Sequence, residues 1–338
     1  MSRILVTGAN GFIGTALVQR LAARGDAVTC LVRQTSKNTE PLVALGARLF
    51  YGSLTDRAAL AAALEGQEVV YHVAGCMRAF GRQHLFEVNE QGTRYLAECA
   101  AATASPPVFV FVSSLAAAGS AHGDRPRVES DPPRPVSNYG HSKLAGERAL
   151  VDVAGTLPAT IIRPPIVLGE GDAMGLVLFR SVSRFRVHLI PSYRRRKYSV
   201  VHVADLVELL LLAAEQGERL SPSQEEHHCG QGIYFAAAEC HPTYAELGRM
   251  IAAALGRWML PAPVPQPAIW SLAAGVELVG RIRGRAGYLN LDKAREIAAG
   301  SWLCSKEKAH SQLGFAPAAP LDERLRQAAA WYRAAGWL

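Results

Sequence analysis

Tyr139 and Lys143 stand four residues apart in Tyr139-Gly140-His141-Ser142-Lys143, a spacing that puts both on one face of a helix. An ammonium close to a phenol favours the ionised form and makes a proton donor and acceptor of a side chain whose ordinary pKa is about 10. Such a pair alone fits any helix. It gains meaning from Ser113-Ser114, which close the apolar run Val108 to Val112 and precede Tyr139 by 25 residues. A hydroxyl at the carboxyl end of a strand lies where open α/β sheets bind ligands. From there Ser114 can hydrogen-bond a substrate oxygen while Tyr139 moves its proton.

The elements that must position these groups begin at the N-terminus. Ile4 to Val6 reads as a short strand, followed by Thr7-Gly8-Ala9-Asn10-Gly11-Phe12-Ile13-Gly14 and the helical pattern Ile13, Ala16, Leu17, Leu21. In a strand-turn-helix of this kind Gly8 permits the tight turn, Gly11 lets the backbone approach a pyrophosphate, and Gly14 lets the helix lie against its strand. The helix N-terminus offers unpaired N–H groups to the phosphates. A nicotinamide dinucleotide is the expected cofactor.

The glycine pattern, Ser113-Ser114 and Tyr139-x-x-x-Lys143, in this order, closely resemble the extended short-chain dehydrogenase/reductases, the NAD-dependent epimerase/dehydratase group. Tyr71-His72-Val73-Ala74-Gly75, Asn89-x-x-Gly92-Thr93, Arg163-Pro164-Pro165 and Val201-His202-Val203-x-Asp205 agree. The resemblance implies that Ser114, rather than Ser113, is the reactive serine and that Lys143 also grips the nicotinamide ribose. It further implies a cofactor site from Gly8, Asn10, Gly11, Phe12, Ile13, Gly14, Arg33, Ser53, Leu54, Ala74, Tyr139, Lys143, Pro164 and Ile166.

The residue 19 positions past Gly14 is Arg33. An acid there would hold the ribose 2′-hydroxyl of NAD, whereas a cation suits a 2′-phosphate. NADP(H) is therefore preferred, with NAD(H) as the alternative. Ser53 stands where relatives commonly carry an adenine-contacting Asp. Leu115-Ala116-Ala117 replace the Asp-Glu pair with which the family's sugar-nucleotide dehydratases eliminate water, and Tyr198 replaces the diphosphate-binding Arg of its epimerases. What remains resembles the dihydroflavonol reductase and 3β-hydroxysteroid dehydrogenase branch, whose substrates are large and apolar.

The fold expected is α/β, a Rossmann-type doubly wound parallel sheet with a smaller, discontinuous C-terminal substrate domain. Strands are expected near 3–7, 27–32, 47–51, 68–73, 107–113 and 158–163, and helices near 12–24, 56–64, 84–103 and 138–154. Residues 1–165 plus 198–220 would form the dinucleotide-binding domain, and 166–197 plus 221–338 the substrate domain. Pro261 to Pro267 reads as a stiff connection. Ala268 to Ile282, apolar around most of its circumference, fits a core helix, a lid over an apolar pocket or a helix at a membrane surface.

The chain of 338 residues is 49% apolar and 19% charged, with a net charge of +7, an ordinary globular composition. Cysteines 30, 76, 99, 229, 240 and 304 follow no disulfide or zinc spacing, and no signal peptide is apparent, so a cytoplasmic location is expected, with peripheral contact at the inner membrane surface left open. Basic residues at Arg194 to Lys197, and at Arg281, Arg283 and Arg285, lack the aromatic interleaving of a nucleic-acid site. His227-His228-Cys229 and Cys240-His241 read as polar loop, and no metal is expected. Met77, Phe80, Phe86, Met174, Phe179, Phe185 and Trp270 are candidate pocket liners.

The reading is an NADP(H)-dependent oxidoreductase interconverting a ketone and a secondary alcohol on a hydrophobic, lipid-like substrate of keto-sphingoid, ceramide or sterol type. The alternatives are a sugar-nucleotide or hopanoid-sugar epimerase, and a non-catalytic cofactor-sensing scaffold. Homodimerisation through the helices near 84–103 and 138–154 is a further expectation.

Overall fold

A computed structural model describes the chain except Ser192, residues 223–229 and Arg285. His227, His228 and Cys229 thus lie outside the described residues.

The centre is a seven-stranded sheet of β1 (Arg3–Thr7), β2 (Ala27–Val32), β3 (Arg48–Tyr51), β4 (Val69–His72), β5 (Val108–Val112), β6 (Ala159–Arg163) and β10 (Ile233–Phe235), in the order β10-β6-β5-β4-β1-β2-β3. Every pairing is parallel. These strands read as runs of Val, Ile, Leu and Phe because both faces are covered. Along β1, Ile4 and Val6 enter one core with α1 (Phe12–Ala23) and α9 (Val203–Gln216). Leu5 enters the other, with α3 (Arg57–Leu64), α5 (Gly92–Ala101) and α7 (Asn138–Val151). Strand order reverses between β1 and β4, which opens the ligand crevice at their carboxyl ends.

Three short helices complete this layer: α2 (Glu40–Ala44), α4 (Gln83–Phe86) and α6 (Leu115–Ala118). The helix expected near 84–103 is interrupted: α4 passes through a π-helical turn at Glu87–Gln91 into α5. The turn sets Asn89 inward, where it is buried.

Within the segment 198–220, β9 (Val200–His202) pairs with β7 (Ile166–Leu168) in a separate ribbon, and β10 supplies the seventh strand of the main sheet. Only the helix α9 returns to the main sheet. β9 reads Val200-Val201-His202 and β10 reads Ile233-Tyr234-Phe235, and it is β10 that pairs with the edge of β6.

The remaining elements are α8 (Gly175–Phe185), β8 (Val187–Ile190), α10 (Tyr244–Ala254), β11 (Leu260–Pro263), α11 (Gln266–Ile282), α12 (Leu291–Ala298), α13 (Glu307–Leu313) and α14 (Leu321–Ala334). α8, α10 and α14 share a core through Phe179, Ile251, Leu325 and Tyr332. The proline-rich stretch is in part a strand: β11 pairs parallel with β8. A parallel strand donates to one neighbour from alternate residues only, so Leu260 and Val264 donate to Arg186 and Ile190 while Pro261 and Pro263 fall at positions that owe no proton.

Candidate active site

β5 ends at Val112, and the chain turns outward through Ser113 and Ser114 into α6. The two serines separate at once. Ser113 is buried and donates to the Glu147 carboxylate at 2.5 Å. Glu147 also receives Nε and Nη2 of Arg163 at 2.9 and 2.6 Å, so this serine belongs to a closed, buried ionic network. Ser114 caps α6, accepting the Ala116 N–H at 3.1 Å, and its hydroxyl lies close enough to the Tyr139 phenol to draw the phenol's pKa down. With one lone pair used by Ala116, the Ser114 proton is left for the phenol oxygen or a substrate oxygen.

α7 carries Tyr139 and Lys143 past this strand end. Ser137 caps it, accepting the Gly140 N–H at 2.9 Å. Gly140 makes the approach possible: a Cβ there would lie 2.4 Å from the Ala116 carbonyl oxygen. The close fit of α7 on α6 is what brings Tyr139 to Ser114.

The electrostatics differ from the simple pairing of phenol and ammonium. Burial pushes the Tyr139 phenol up, the Ser114 hydroxyl draws it down, and the Glu296 carboxylate adds to the rise. Lys143 is not what lowers it. Its long side chain reaches past Tyr139 to the end of β5, where Nζ donates to the Val112 carbonyl at 2.8 Å and lies 4.2 Å from the Phe111 ring centre. Burial takes the ammonium down to about 7, opposed by Glu147. Tyr139 is therefore held protonated, as a donor.

Around this pair the chain builds supports. Asn89 donates to the Cys76 carbonyl at 2.8 Å and to Ser142 Oγ at 2.9 Å, and accepts the Cys76 N–H at 2.7 Å, tying the loop after β4 to α7. His72 lies between Thr7 and Thr93 at 2.7 and 2.9 Å, and burial lowers its pKa to about 3. It is a neutral strut. On the other flank Asp292 of α12 accepts the N–H groups of Asn138 and Tyr139 at 2.7 and 3.1 Å, and Glu296 accepts the Ser137 hydroxyl at 2.7 Å. Sequence reasoning singled out neither acid of α12, and no local pattern marks them. Glu147 did have a signal, since it continues the Tyr139, Lys143 face by one more turn.

The glycine loop fits a dinucleotide. Gly8 has φ +68°, and a Cβ there would lie 2.6 Å from the Ala74 nitrogen. A Cβ on Gly14 would meet the Gly8 carbonyl oxygen at 2.1 Å, so Gly14 admits the helix against the turn itself. Gly11 is less constrained, its nearest neighbour being the Gly8 oxygen at 3.2 Å, and Phe12 and Ile13 open the helix. Ala74 donates its N–H to Thr7 Oγ1 at 3.2 Å. Ser53 forms a turn with Thr55, and Leu54 packs at Gly92. At the far end of the crevice the Pro164 carbonyl accepts the Leu115 N–H, and Ile166 opens β7.

Arg33 leaves β2 into solvent. Its backbone N–H donates to Ser36 Oγ at 3.1 Å, and Asn10 Nδ2 donates to the Lys37 carbonyl at 3.1 Å, which folds this basic turn back onto the glycine loop. No ion pair of Arg33 is formed among the described residues. A phosphate placed there would meet an unneutralised guanidinium.

This order of strand, glycine loop, serine strand end and Tyr/Lys helix has a counterpart in known proteins. Residues 4–225 match the NAD dependent epimerase/dehydratase family. The chain belongs to that family. It is 31% identical over 344 residues to the ceramide reductase of Caulobacter vibrioides, covering 99% of this chain and 96% of the relative. It is 30% identical over 314 residues to the 4-hydroxy-2-methyl-3-oxo-4-farnesyl-3,4-dihydroquinoline-1-oxide ketoreductase of Stigmatella aurantiaca, covering 87% and 90%. Among solved structures it is similar to MoeE5 in complex with UDP-glucuronic acid and NAD, with a TM-score of 0.75, 26% identity and coverage of 98% and 99%. As an epimerase/dehydratase family member it is an NAD(P)-dependent enzyme of the extended short-chain dehydrogenase/reductase type.

Two cavities lie near these elements. One of about 140 Å³ borders the first turn of α7, lined by Met77, Leu85, Asn138, Leu291, Asp292 and Arg281 among others. The other, about 380 Å³, lies between β8, β11 and α10 and is lined by Arg194, Arg195, Arg196, Arg249, Tyr198 and Tyr244 among others. Of the basic run, Arg196 donates to the Ile297 and Ala298 carbonyls and Lys197 reaches Asp124 at 2.9 Å, so it braces α12 as well as facing solvent. Of the candidate pocket liners, Met77 lines the first cavity, Phe179 packs on Tyr332, and Phe185 is exposed. His241 bonds Ser199 at 3.0 Å.

Proposed function

We propose that this enzyme interconverts a ketone and a secondary alcohol on a hydrophobic, lipid-like substrate, with NADP(H) as the preferred cofactor. The observation that carries the reading is the Ser114 hydroxyl beside a Tyr139 phenol that burial keeps protonated. That pair is set to deliver a proton to a carbonyl oxygen. Bound in the crevice, the reduced nicotinamide supplies a hydride to the carbonyl carbon. Ser114 orients the substrate oxygen, Tyr139 donates its proton to that oxygen, and Lys143 would grip the nicotinamide ribose. In the reverse direction Tyr139 accepts the alcohol proton.

Gly8, Asn10, Gly11, Phe12, Ile13 and Gly14 would hold the pyrophosphate, with Arg33 and its basic turn at the 2′-phosphate. Residues 1–165 and 198–220, with β10, form the cofactor-binding part in this reading, and the remainder the substrate-binding part. Pairing of two copies through α5 and α7 belongs to the same proposal. A ceramide or keto-sphingoid ketone is the substrate class favoured by a relative aligned over nearly the whole chain, and the apolar Met77, Leu85 and Leu291 beside Asn138 suit it.

A second reading, sugar-nucleotide or hopanoid-sugar epimerisation, is favoured by one observation: the larger cavity is lined by four arginines, which suit a diphosphate. Oxidation of NADPH in the presence of a 3-keto-ceramide, a 3-ketosteroid or a UDP-sugar separates the two. Turnover of the keto-lipid supports reduction. Isomerisation of the UDP-sugar without net cofactor consumption supports epimerisation and overturns the first reading.

A further inference from the structure

α11 is a surface helix with the wrong surface for water. Of its 17 residues it buries Ile269, Ala273 and Gly280, against Ala294 of α12 and the apolar residues around it. The opposite side should then be polar. Instead Leu272, Leu278, Val279 and Ile282 are 56, 62, 46 and 79% exposed, with Ala268, Ser271, Ala274 and Gly275 exposed between them. The helix's one acid, Glu277, is turned to Arg281 at 2.9 Å and to the Leu291 N–H at 3.3 Å.

The ribbon that leads into α11 repeats the pattern. By register, Val187 and Leu189 of β8 share a face with Leu260 and Ala262 of β11. His188, on the other face, is buried against α10, its ring 4.9 Å from that of Tyr244. On the outer face Leu189 and Leu260 are more than half exposed, as are Phe185 and Trp258 at the end of the ribbon. The Arg186 guanidinium sits 5.1 Å over the Trp258 ring.

The charges around these side chains are mostly positive, although Lys197 pairs with Asp124 and Arg195 lies 3.8 Å from Glu246. Residues 173–204 hold seven Lys or Arg and no Asp or Glu, and residues 247–276 hold Arg249 and Arg257 and no acid. Arg184, Arg257 and Arg283 are exposed. A second copy of this chain across a two-fold axis would set arginine against arginine. Apolar side chains beside the exposed Arg184, Arg257 and Arg283 match a surface whose interior is hydrocarbon and whose outer layer is anionic.

We propose that the outward side of α11, with the exposed face of the β8–β11 ribbon, docks on an anionic lipid bilayer, the helix lying in the headgroup layer. No helix among the described residues is long and apolar enough to cross a membrane, so the contact is peripheral. Glu277 and Arg281 line the cavity beside Asn138, which puts the docked helix at the mouth of the catalytic crevice. The docking stands apart from the keto-lipid reading, because its test reads binding and not turnover.

The test is co-sedimentation of the full chain with vesicles of phosphatidylcholine alone or with equal parts phosphatidylglycerol. The wild type should sediment with the anionic vesicles and bind neutral ones about tenfold more weakly, as loss of one or two arginine contacts would give. Leu272→Glu/Leu278→Glu/Ile282→Glu should lose vesicle binding while keeping cofactor affinity; if it fails to fold, the single Ile282→Glu at the most exposed position replaces it. Wild type that stays in the supernatant overturns the proposal, as does unimpaired sedimentation of the variant. So does a lipid-free dimer that these substitutions split into monomers, since a second copy would then be the occupant.

Discussion

The Asp292 carboxylate accepts the backbone N–H of Tyr139 at 3.1 Å, so a helix from the last quarter of the chain fixes the first turn of the helix that carries the proposed proton donor. The same carboxylate takes the Asn138 N–H, two of the amides that a helix start leaves without internal partners. Asp292 acts as a cap supplied in trans.

Removing that cap should cost about 1 to 2 kcal/mol of stability, the range for helix capping residues, and should lower kcat because Tyr139 loses its registration. Asp292→Ala is expected to reduce kcat with the cofactor Kd unchanged, and Asp292→Asn, whose amide oxygen still accepts, to recover most of it. A kcat unaltered in both variants would show that α12 does not position Tyr139.

The two adjacent serines should part company under mutation. Ser113→Ala breaks a bond to a buried carboxylate and is expected to cost about 1.5 to 3 kcal/mol in urea unfolding, with turnover preserved. Ser114→Ala should cost about 1 kcal/mol through the lost cap of α6 and lower kcat by about a hundredfold or more, the scale for loss of an oriented proton-transfer partner. Equal kinetic effects would contradict the assignment of separate roles.

The site was legible in the sequence where it depends on local spacing, and illegible where it depends on distant chain. Gly8 to Gly14, Ser114 and Tyr139 to Lys143 each announce themselves within a turn or strand end, because each must be made by neighbours. The proposed choice of Ser114 over Ser113 rests on resemblance, and the Glu147–Arg163 pair that occupies Ser113 appears only in three dimensions. Asp292 lies 153 residues from Tyr139, beyond any periodicity. Val200–His202 and Ile233–Phe235 are both three-residue strands, and which one joins the main sheet is a matter of distant pairing with Ile161 to Arg163 that no local pattern marks. Pro261 and Pro263 disguised a strand because their missing protons fall on positions that owe none.

Lys143 should be a stability cost. Its folded-state pKa of about 7 lies below the ordinary 10.5, so between those values the unfolded chain binds a proton that the folded chain does not. Stability therefore declines as pH falls from 10.5 to about 7 and levels off below. Lys143→Met is expected to be inactive yet to melt higher than the parent at pH 7, the difference shrinking as pH rises toward 10.5. A variant that melts lower at pH 7 would contradict the burial cost.

The proposed preference for NADP(H) rests on Arg33. Arg33→Asp should weaken NADPH binding by about ten- to a hundredfold, the value of one or two charge-assisted bonds, and leave NADH affinity unchanged or improved. Fluorescence titration of the two reduced cofactors against both proteins reads this directly. Parallel losses for both cofactors would remove the 2′-phosphate role.

The central claim is that Tyr139 hands its proton to a ketone oxygen, and it is tested most directly by single-turnover reduction of a 3-keto-ceramide by NADPH in wild type and Tyr139→Phe. Removal of the phenol hydroxyl should slow hydride transfer by about a hundredfold or more with the NADPH Kd unchanged. Wild-type rates in Tyr139→Phe would contradict the account.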